Sequence, residues 1–288
     1  MDNRWKRWYN IRSKLSKHEE GVKMTANYHT HTYRCGHASG DERAYVEKAI
    51  ELGFKELGFS EHAPMPFPEG IPEQNLSRLL AMRMKMHETE EYVSNLLALR
   101  EEYKNDIKIH IGFETEYFDC CFDAFIDYIK DYPVDYLILG QHFGDPFIDP
   151  MPYHGAQFTN NQQLTSYVND VVKGIESGKI TYVAHPDVPF YKRSLEVYEH
   201  EMTRLINAAK NNSVPLEINF YGLQEVRNYP TLEFWLLANE IGCDVVLGSD
   251  AHKPENLKNP YALKHAELML KSFKNLNLLD RVEFKPIK

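Results

Sequence analysis

The segment DYLILGQH, Asp135–His142, decides how this chain is read. A short apolar run of this kind reads as a β-strand, and it ends on a histidine. The pattern recurs. ITYVAH closes on His185, the apolar run before GFETEY delivers Glu114, and the first and last runs end in His29-x-His31 and Asp250-x-His252. With His37 in CGHASG and His62 in SEHAP, these residues form a set of imidazoles and carboxylates placed at successive strand ends. Functional groups at many strand ends, rather than at one switch point, describe a closed or nearly closed barrel with its chemistry at one mouth.

Outward from that segment, the candidate strands are 25–30, 56–60, 107–114, 135–141, 180–184, 215–219 and 244–248. Segments of helical period lie between most of them: 44–52, ending at Gly53, one long helix over 76–104, then 195–211 and 232–240. Strands alternating with helices predict a parallel sheet. No repeat or linker divides residues 25–288, which read as a single domain, and residues 1–24 read as a polar extension without the apolar core of a secretory signal. The loop 144–161 is long, proline-rich and aromatic, and reads as a lid that contacts substrate. Met82, Met84 and Met86 read as packing.

Composition narrows the partners. A net charge of −9 gives no basic stripe for a phosphate backbone, which disfavours nucleic acid, while a small phosphorylated substrate stays compatible because cations can invert a local field. Cys35, Cys120, Cys121 and Cys243 show no disulfide spacing, and a reduced, cytoplasmic protein is expected. No apolar run approaches the ~18–20 residues of a membrane span.

His29 and His31 are two apart on a strand, so both imidazoles point the same way, and such a pair is costly to bury without a cation. Glu114, at the end of a strongly apolar run, suits a bridge between two cations that offset its desolvation. Asp250 completes the shell of the first ion, His142 and His185 suit a second, and His37 and His62 a third. His18, His87, His110, His200 and His265 read as ordinary core or surface residues. Nitrogen and oxygen ligands without thiolates point to Zn²⁺, Mn²⁺ or Fe²⁺. Sites of this type activate water, with a metal-bridging hydroxide as nucleophile. Asp250 and His252 are the candidate catalytic residues.

The segments YHTHTYRCGHASGDERAYVEKAIELG, LGFSEHAPMP, HIGFETEY, DYLILGQHF, YVAHPD and VLGSDAHKPE together resemble the polymerase and histidinol phosphatase (PHP) superfamily, most closely its histidinol-phosphatase branch. The resemblance covers the chain from about Asn27 to Glu255. It implies a distorted, TIM-like (β/α)7 barrel and three divalent ions. Carried over by position, the first ion takes His29, His31, Glu114 and Asp250. The second shares Glu114 and adds His142 and His185, and the third takes His37, His62 and His252. It also implies hydrolysis of L-histidinol phosphate to L-histidinol and phosphate.

The chain departs from the branch after the sixth strand. Asn219-Phe220-Tyr221-Gly222-Leu223-Gln224 lacks the threonine and the basic residue that follow the asparagine in relatives. Lys192, Arg193 and Arg227 are then the candidates to hold phosphate. Glu116 and Asp149 are candidates for a substrate amine, and Tyr117, Phe143 and Tyr153 for its ring. The departure leaves open another small phosphate ester, such as a nucleotide or sugar phosphate, and a metal-stabilised accessory module is the non-catalytic alternative. A metal-dependent amidohydrolase is disfavoured, because no lysine follows the third or fourth strand.

Overall fold

The computed structural model describes residues 21–287; most of the expected N-terminal extension lies outside them. In chain order the elements are β1 Ala26–Asn27, α1 Glu42–Glu51, β2 Glu56–His62, α2 Glu73–Ala81, α3 Thr89–Glu102, β3 Lys108–Thr115, α4 Phe122–Ile129 and β4 Tyr136–Leu139. Then follow α5 Asn161–Glu176, β5 Tyr182–Val183, α6 Leu195–Asn211, β6 Leu216–Asn219, α7 Phe220–Gln224, α8 Leu232–Ile241, β7 Asp244–Gly248, α9 Pro260–Ser272 and β8 Asn277–Leu278. The strands form one parallel sheet in sequence order, the order that βα repetition imposes on a barrel.

The sheet has eight strands rather than the expected seven. β8 pairs with the start of β7, Asp244 opposite Asn277 and Val245 opposite Leu278. The end of β7 instead turns back to β1. Thr30 and Ala251 form a parallel bridge, the His31 N–H donates to the Ala251 carbonyl (3.0 Å), and the Ala251 N–H donates to the His29 carbonyl (3.3 Å). The ring is therefore closed at the strands' C-terminal mouth, while at the base β8 occupies the edge of β7. A two-residue strand carries no periodic signal, which is why sequence reading passes over β8.

Among the described residues the buried apolar side chains fall into two clusters. The larger lies between the sheet and its helices, with Phe59, Ile111, Phe113, Leu137, Leu139, Val183, Leu216 and Val245 facing outward. The smaller fills the barrel: Ala26, Tyr28, Tyr136, Ile138, Tyr182, Ala184 and Val246, capped by Val282 and Phe284. Gly58 and Gly112 make room for it, since a Cβ at either would collide with the Tyr136 ring.

The predicted helix over 76–104 is two helices. Between α2 and α3 the Met84 N–H donates to the His62 carbonyl (3.2 Å), and Arg83 donates to the Leu79 carbonyl (2.7 Å) and to Glu116 (2.7 Å). These tertiary contacts outweigh helical propensity there. The 144–161 loop folds back over the mouth: Phe143 bridges Tyr153, and the His154 N–H donates to the His142 carbonyl (2.8 Å).

Candidate metal centre

Every candidate ligand comes from the C-terminal mouth. His29 and His31 follow β1, His62 ends β2, Glu114 is the penultimate residue of β3, and His142, His185, Asp250 and His252 follow β4, β5 and β7. His37 follows a short 3-10 turn, Tyr33–Cys35, capped by Thr32. Two of these residues, His185 and Asp250, have positive φ, 29° and 47°. L-residues hold such backbone only where the surroundings over-determine it, most often at functional sites.

Glu114 is the hub. Its Oε1 lies 2.9 Å from His185 Nε2, 3.5 Å from His29 Nε2 and 3.7 Å from His142 Nε2. Its Oε2 lies 3.0 Å from His62 Nδ1 and 3.4 Å from His31 Nε2. Asp250 Oδ1 stands 3.4 Å from His29 Nε2 and 3.3 Å from His31 Nε2. The Glu114 side chain fits only because residue 140 is glycine, since a Cβ there would overlap the carboxylate. On the outer side, His252 Nε2 and His37 Nε2 are 3.1 Å apart.

The donor set fits divalent cations. His37 Nδ1 lies 3.0 Å from the Cys35 carbonyl and His252 Nδ1 3.0 Å from the Asp250 carbonyl, so each ring donates there and leaves its Nε2 bare. Two bare lone pairs 3.1 Å apart repel unless a cation lies between them, and two nitrogens on a tetrahedral Zn²⁺ at about 2.0–2.1 Å stand at a similar separation. Deeper in, His29 Nε2, both ring nitrogens of His31, His185 Nδ1 and Glu114 Oε2 are buried without a hydrogen-bond partner. Native interiors rarely tolerate such orphans.

Charge follows the same logic. Burial alone would raise Glu114, but the imidazoles of His142, His62 and His29 hold it well below the usual carboxylate range. Asp250 is likewise pulled well down, against its burial, by His29 and His31. Burial pushes His31 down to about 4 and His142 to about 3.

The mouth opens into a cavity of about 340 Å³ lined by His37, His62, His142, Asp250 and His252, and on its far wall by Tyr153, Tyr221, Arg227, Asn228 and Tyr229. Arg227 is thus the candidate phosphate contact that the structure brings to the site, its guanidinium 5.5 Å from the Tyr221 ring centroid. Lys192 and Arg193 are not in this cavity. They line a neighbouring one of about 420 Å³ that shares Asn228 with it. Glu116 faces inward to protein rather than to substrate. It is 4% exposed, its Oε1 accepts the N–H groups of His142 (3.0 Å) and Phe143 (2.9 Å), and its Oε2 pairs with Arg83. A carboxylate so engaged fixes the turn that presents His142 and has no oxygen left for an amine. Asp149 in the 144–161 loop accepts from Gln74 of α2, Tyr117 packs on Phe122, and Phe143 is buried beneath Tyr153.

Sequence reading assigns no site role to Glu217 and Asn219 on β6, buried beneath the ligands, or to Tyr221 and Tyr229 on the cavity wall. A signal for the first pair was present: in LEIN two polar residues stand two apart on an apolar strand, the same signature as His29-x-His31.

A sequence model of the PHP domain matches residues 27–220. Among curated proteins, the probable histidinol-phosphatase of Deinococcus radiodurans is 26% identical over 241 residues, covering 78% of this chain and 85% of that one. The histidinol-phosphatase of Bacillus subtilis is 26% identical over 264 residues, covering 81% and 95%. Among solved structures, the putative histidinol phosphatase of Listeria monocytogenes superposes with a TM-score of 0.66 at 24% identity, covering 82% of this chain and 98% of that one. The histidinol phosphate phosphatase of Lactococcus lactis, solved with Zn, L-histidinol and phosphate, gives 0.66 at 18% identity, covering 90% and 99%. At these identities the two structures establish the shared fold.

Proposed function

Because this chain belongs to the PHP domain family, we propose that it is a metal-dependent phosphoric monoester hydrolase that converts L-histidinol phosphate to L-histidinol and phosphate. The curated relatives of near-full length carry that activity in their names, and the neighbour from Lactococcus lactis holds zinc with both products. The observation that carries the reading is Glu114, buried between two groups of imidazoles whose ring nitrogens lie 2.9–3.7 Å from its oxygens. In our reading His29, His31, Glu114 and Asp250 hold one ion, Glu114, His142 and His185 a second, and His37, His62 and His252 a third. Zinc is the ion best supported, since the relative's structure contains it.

When bound, such ions neutralise charge on a transferring phosphoryl group and make water nucleophilic at neutral pH. The chain's own residues do the rest. Glu114 and Asp250, held as carboxylates, fix the positions of the positive charge. Arg227 at the cavity wall supplies the fork that phosphate oxygens prefer, in place of the basic residue that Gln224 replaces. Tyr153, Tyr221 and Tyr229 offer aromatic faces to an imidazole-bearing substrate. The lid from Phe143 to Tyr153 narrows access of bulk water. The four unpaired cysteines fit a cytoplasmic location, and no helix among the described residues is long and apolar enough to cross a membrane.

The test is phosphate release by zinc- and manganese-loaded protein from L-histidinol phosphate, sugar phosphates, nucleotides and p-nitrophenyl phosphate. A preference for histidinol phosphate of about 100-fold, or about 2.7 kcal/mol, is expected. Equal, slow turnover of all esters would keep the chemistry and reject the substrate.

A further inference from the structure

Of the strands in the closed ring, β6 is the one whose end carries no candidate ligand, yet its buried residues Glu217 and Asn219 point beneath the centre. Glu217 accepts three hydrogen bonds: from His29 Nδ1 (2.8 Å), from the His185 backbone N–H (3.0 Å) and from Asn219 Nδ2 (2.8 Å). The same Asn219 nitrogen lies 3.1 Å from Asp250 Oδ2, while Asn219 Oδ1 accepts the Gly222 N–H (3.2 Å) and so fixes which way the amide faces. Gly248 makes the space, since a Cβ there would overlap the Glu217 carboxylate. One carboxylate–amide pair therefore braces His29, His185 and Asp250, and the last two carry the left-handed backbone noted above.

An imidazole coordinates through the nitrogen that bears no proton, and the hydrogen bond at its other nitrogen decides which one that is. Glu217 draws the ring proton of His29 to Nδ1 and leaves Nε2 bare toward Glu114 and Asp250. Only a carboxylate can accept from all three donors. A glutamine at 217 has one oxygen. With that oxygen on the His185 and Asn219 donors, its NH₂ faces His29 Nδ1, which must then accept, and the ring proton moves to Nε2, where the cation belongs.

We propose that Glu217, steadied by Asn219, is the positioning residue of the metal centre: it sets the tautomer of His29 and the backbone of His185, and so couples two ions. This rests on the metal-centre reading above. It acts through the ligands, and its loss is read in the metals themselves.

The experiment compares zinc-loaded wild type with Glu217→Gln by metal analysis, chelator competition and the NMR signal of the His29 Nδ1 proton. The two zinc ions held through His29 and through His185 are expected to bind about 10–100-fold more weakly, with that at His37, His62 and His252 unchanged and the His29 proton signal lost. Wild-type zinc affinity throughout, or equal weakening of every zinc, overturns the proposal. If the zinc-free variant melts far below zinc-free wild type, Asn219→Ser decides. It keeps a hydroxyl to cap Gly222 and removes the amide donor. The same selective weakening by a smaller factor supports the proposal, and unchanged affinity overturns it. A wild-type protein that takes up no zinc sinks the parent reading as well, an outcome separate from either variant's result.

Discussion

The two ends of the barrel interior use the same residue types to opposite ends. At the base, Glu56 accepts from Tyr28 Oη (2.9 Å) and His110 Nε2 (3.0 Å) and pairs with Arg281 Nε (2.8 Å), while Phe284 stacks on Tyr136 with centroids 4.8 Å apart. Lone pairs there are matched by protons. At the mouth, Glu114 and Asp250 meet a crowd of imidazoles, several of whose nitrogens make no hydrogen bond. Histidine beside glutamate does not make a metal centre. A surplus of lone pairs that protein alone cannot satisfy does.

The comparison breaks first at Glu114. Glu114→Ala should cut turnover by about 10³-fold or more, the several kcal/mol that metal ions supply, and bound metal should fall with it. Turnover and metal content near wild type would reduce the mouth to another structural network. At the cavity wall, Arg227→Ala should raise KM for the phosphate ester by about 10–100-fold, the weight of charged hydrogen bonds, without changing metal content. An unaltered KM would remove Arg227 from substrate binding. At the base, Glu56→Gln should destabilise by about 1–3 kcal/mol, because one amide oxygen cannot serve its donors. Urea unfolding measures that loss, and kcat and zinc binding should stay as they were. A metal defect in this variant would erase the distinction between the two ends.

The smallest effect is a pH dependence in the lid. Buried His154, whose Nδ1 lies 3.1 Å from the Gln141 carbonyl, is pushed down by desolvation to about 4. The unfolded chain takes its proton near 6.5, so acid favours unfolding from about pH 6.5 downward, and the penalty stops growing below about 4. At pH 5.5 it amounts to about 1.4 kcal/mol. Hydrogen exchange over residues 144–160, corrected for the intrinsic slowing of amide exchange in acid, should quicken between pH 7 and 5.5 in wild type, and less so in His154→Gln. Equal quickening in both would place the titration elsewhere.

Much of the mouth was legible because strand ends announce themselves: an apolar run stops, and a histidine or carboxylate follows. DYLILGQH and ITYVAH carry that information locally. What was not legible depends on contacts between distant segments. Glu116 looked free in GFETEY, and only the fold shows Arg83 and two backbone N–H groups consuming it. Lys192 and Arg193 looked as eligible as Arg227, and only the folded loops place them in separate, neighbouring cavities. The break after α2 depends on a carbonyl from β2, and no periodicity within 76–104 encodes it. Glu217 was overlooked because its task is to hold a ligand rather than to be one.

The bridge between Thr30 and Ala251 has a consequence for how the protein comes into being. The two histidines that face each other at 3.1 Å are 215 positions apart in the chain. Translation delivers His37 well before His252. A nascent chain can display His29-x-His31 long before anything exists to complete the shell, and contacts of such span are slow to form. The ring of imidazoles and carboxylates around Glu114 is thereby incomplete in every truncated product that lacks β7, and it closes only when the last turn of the barrel meets the first.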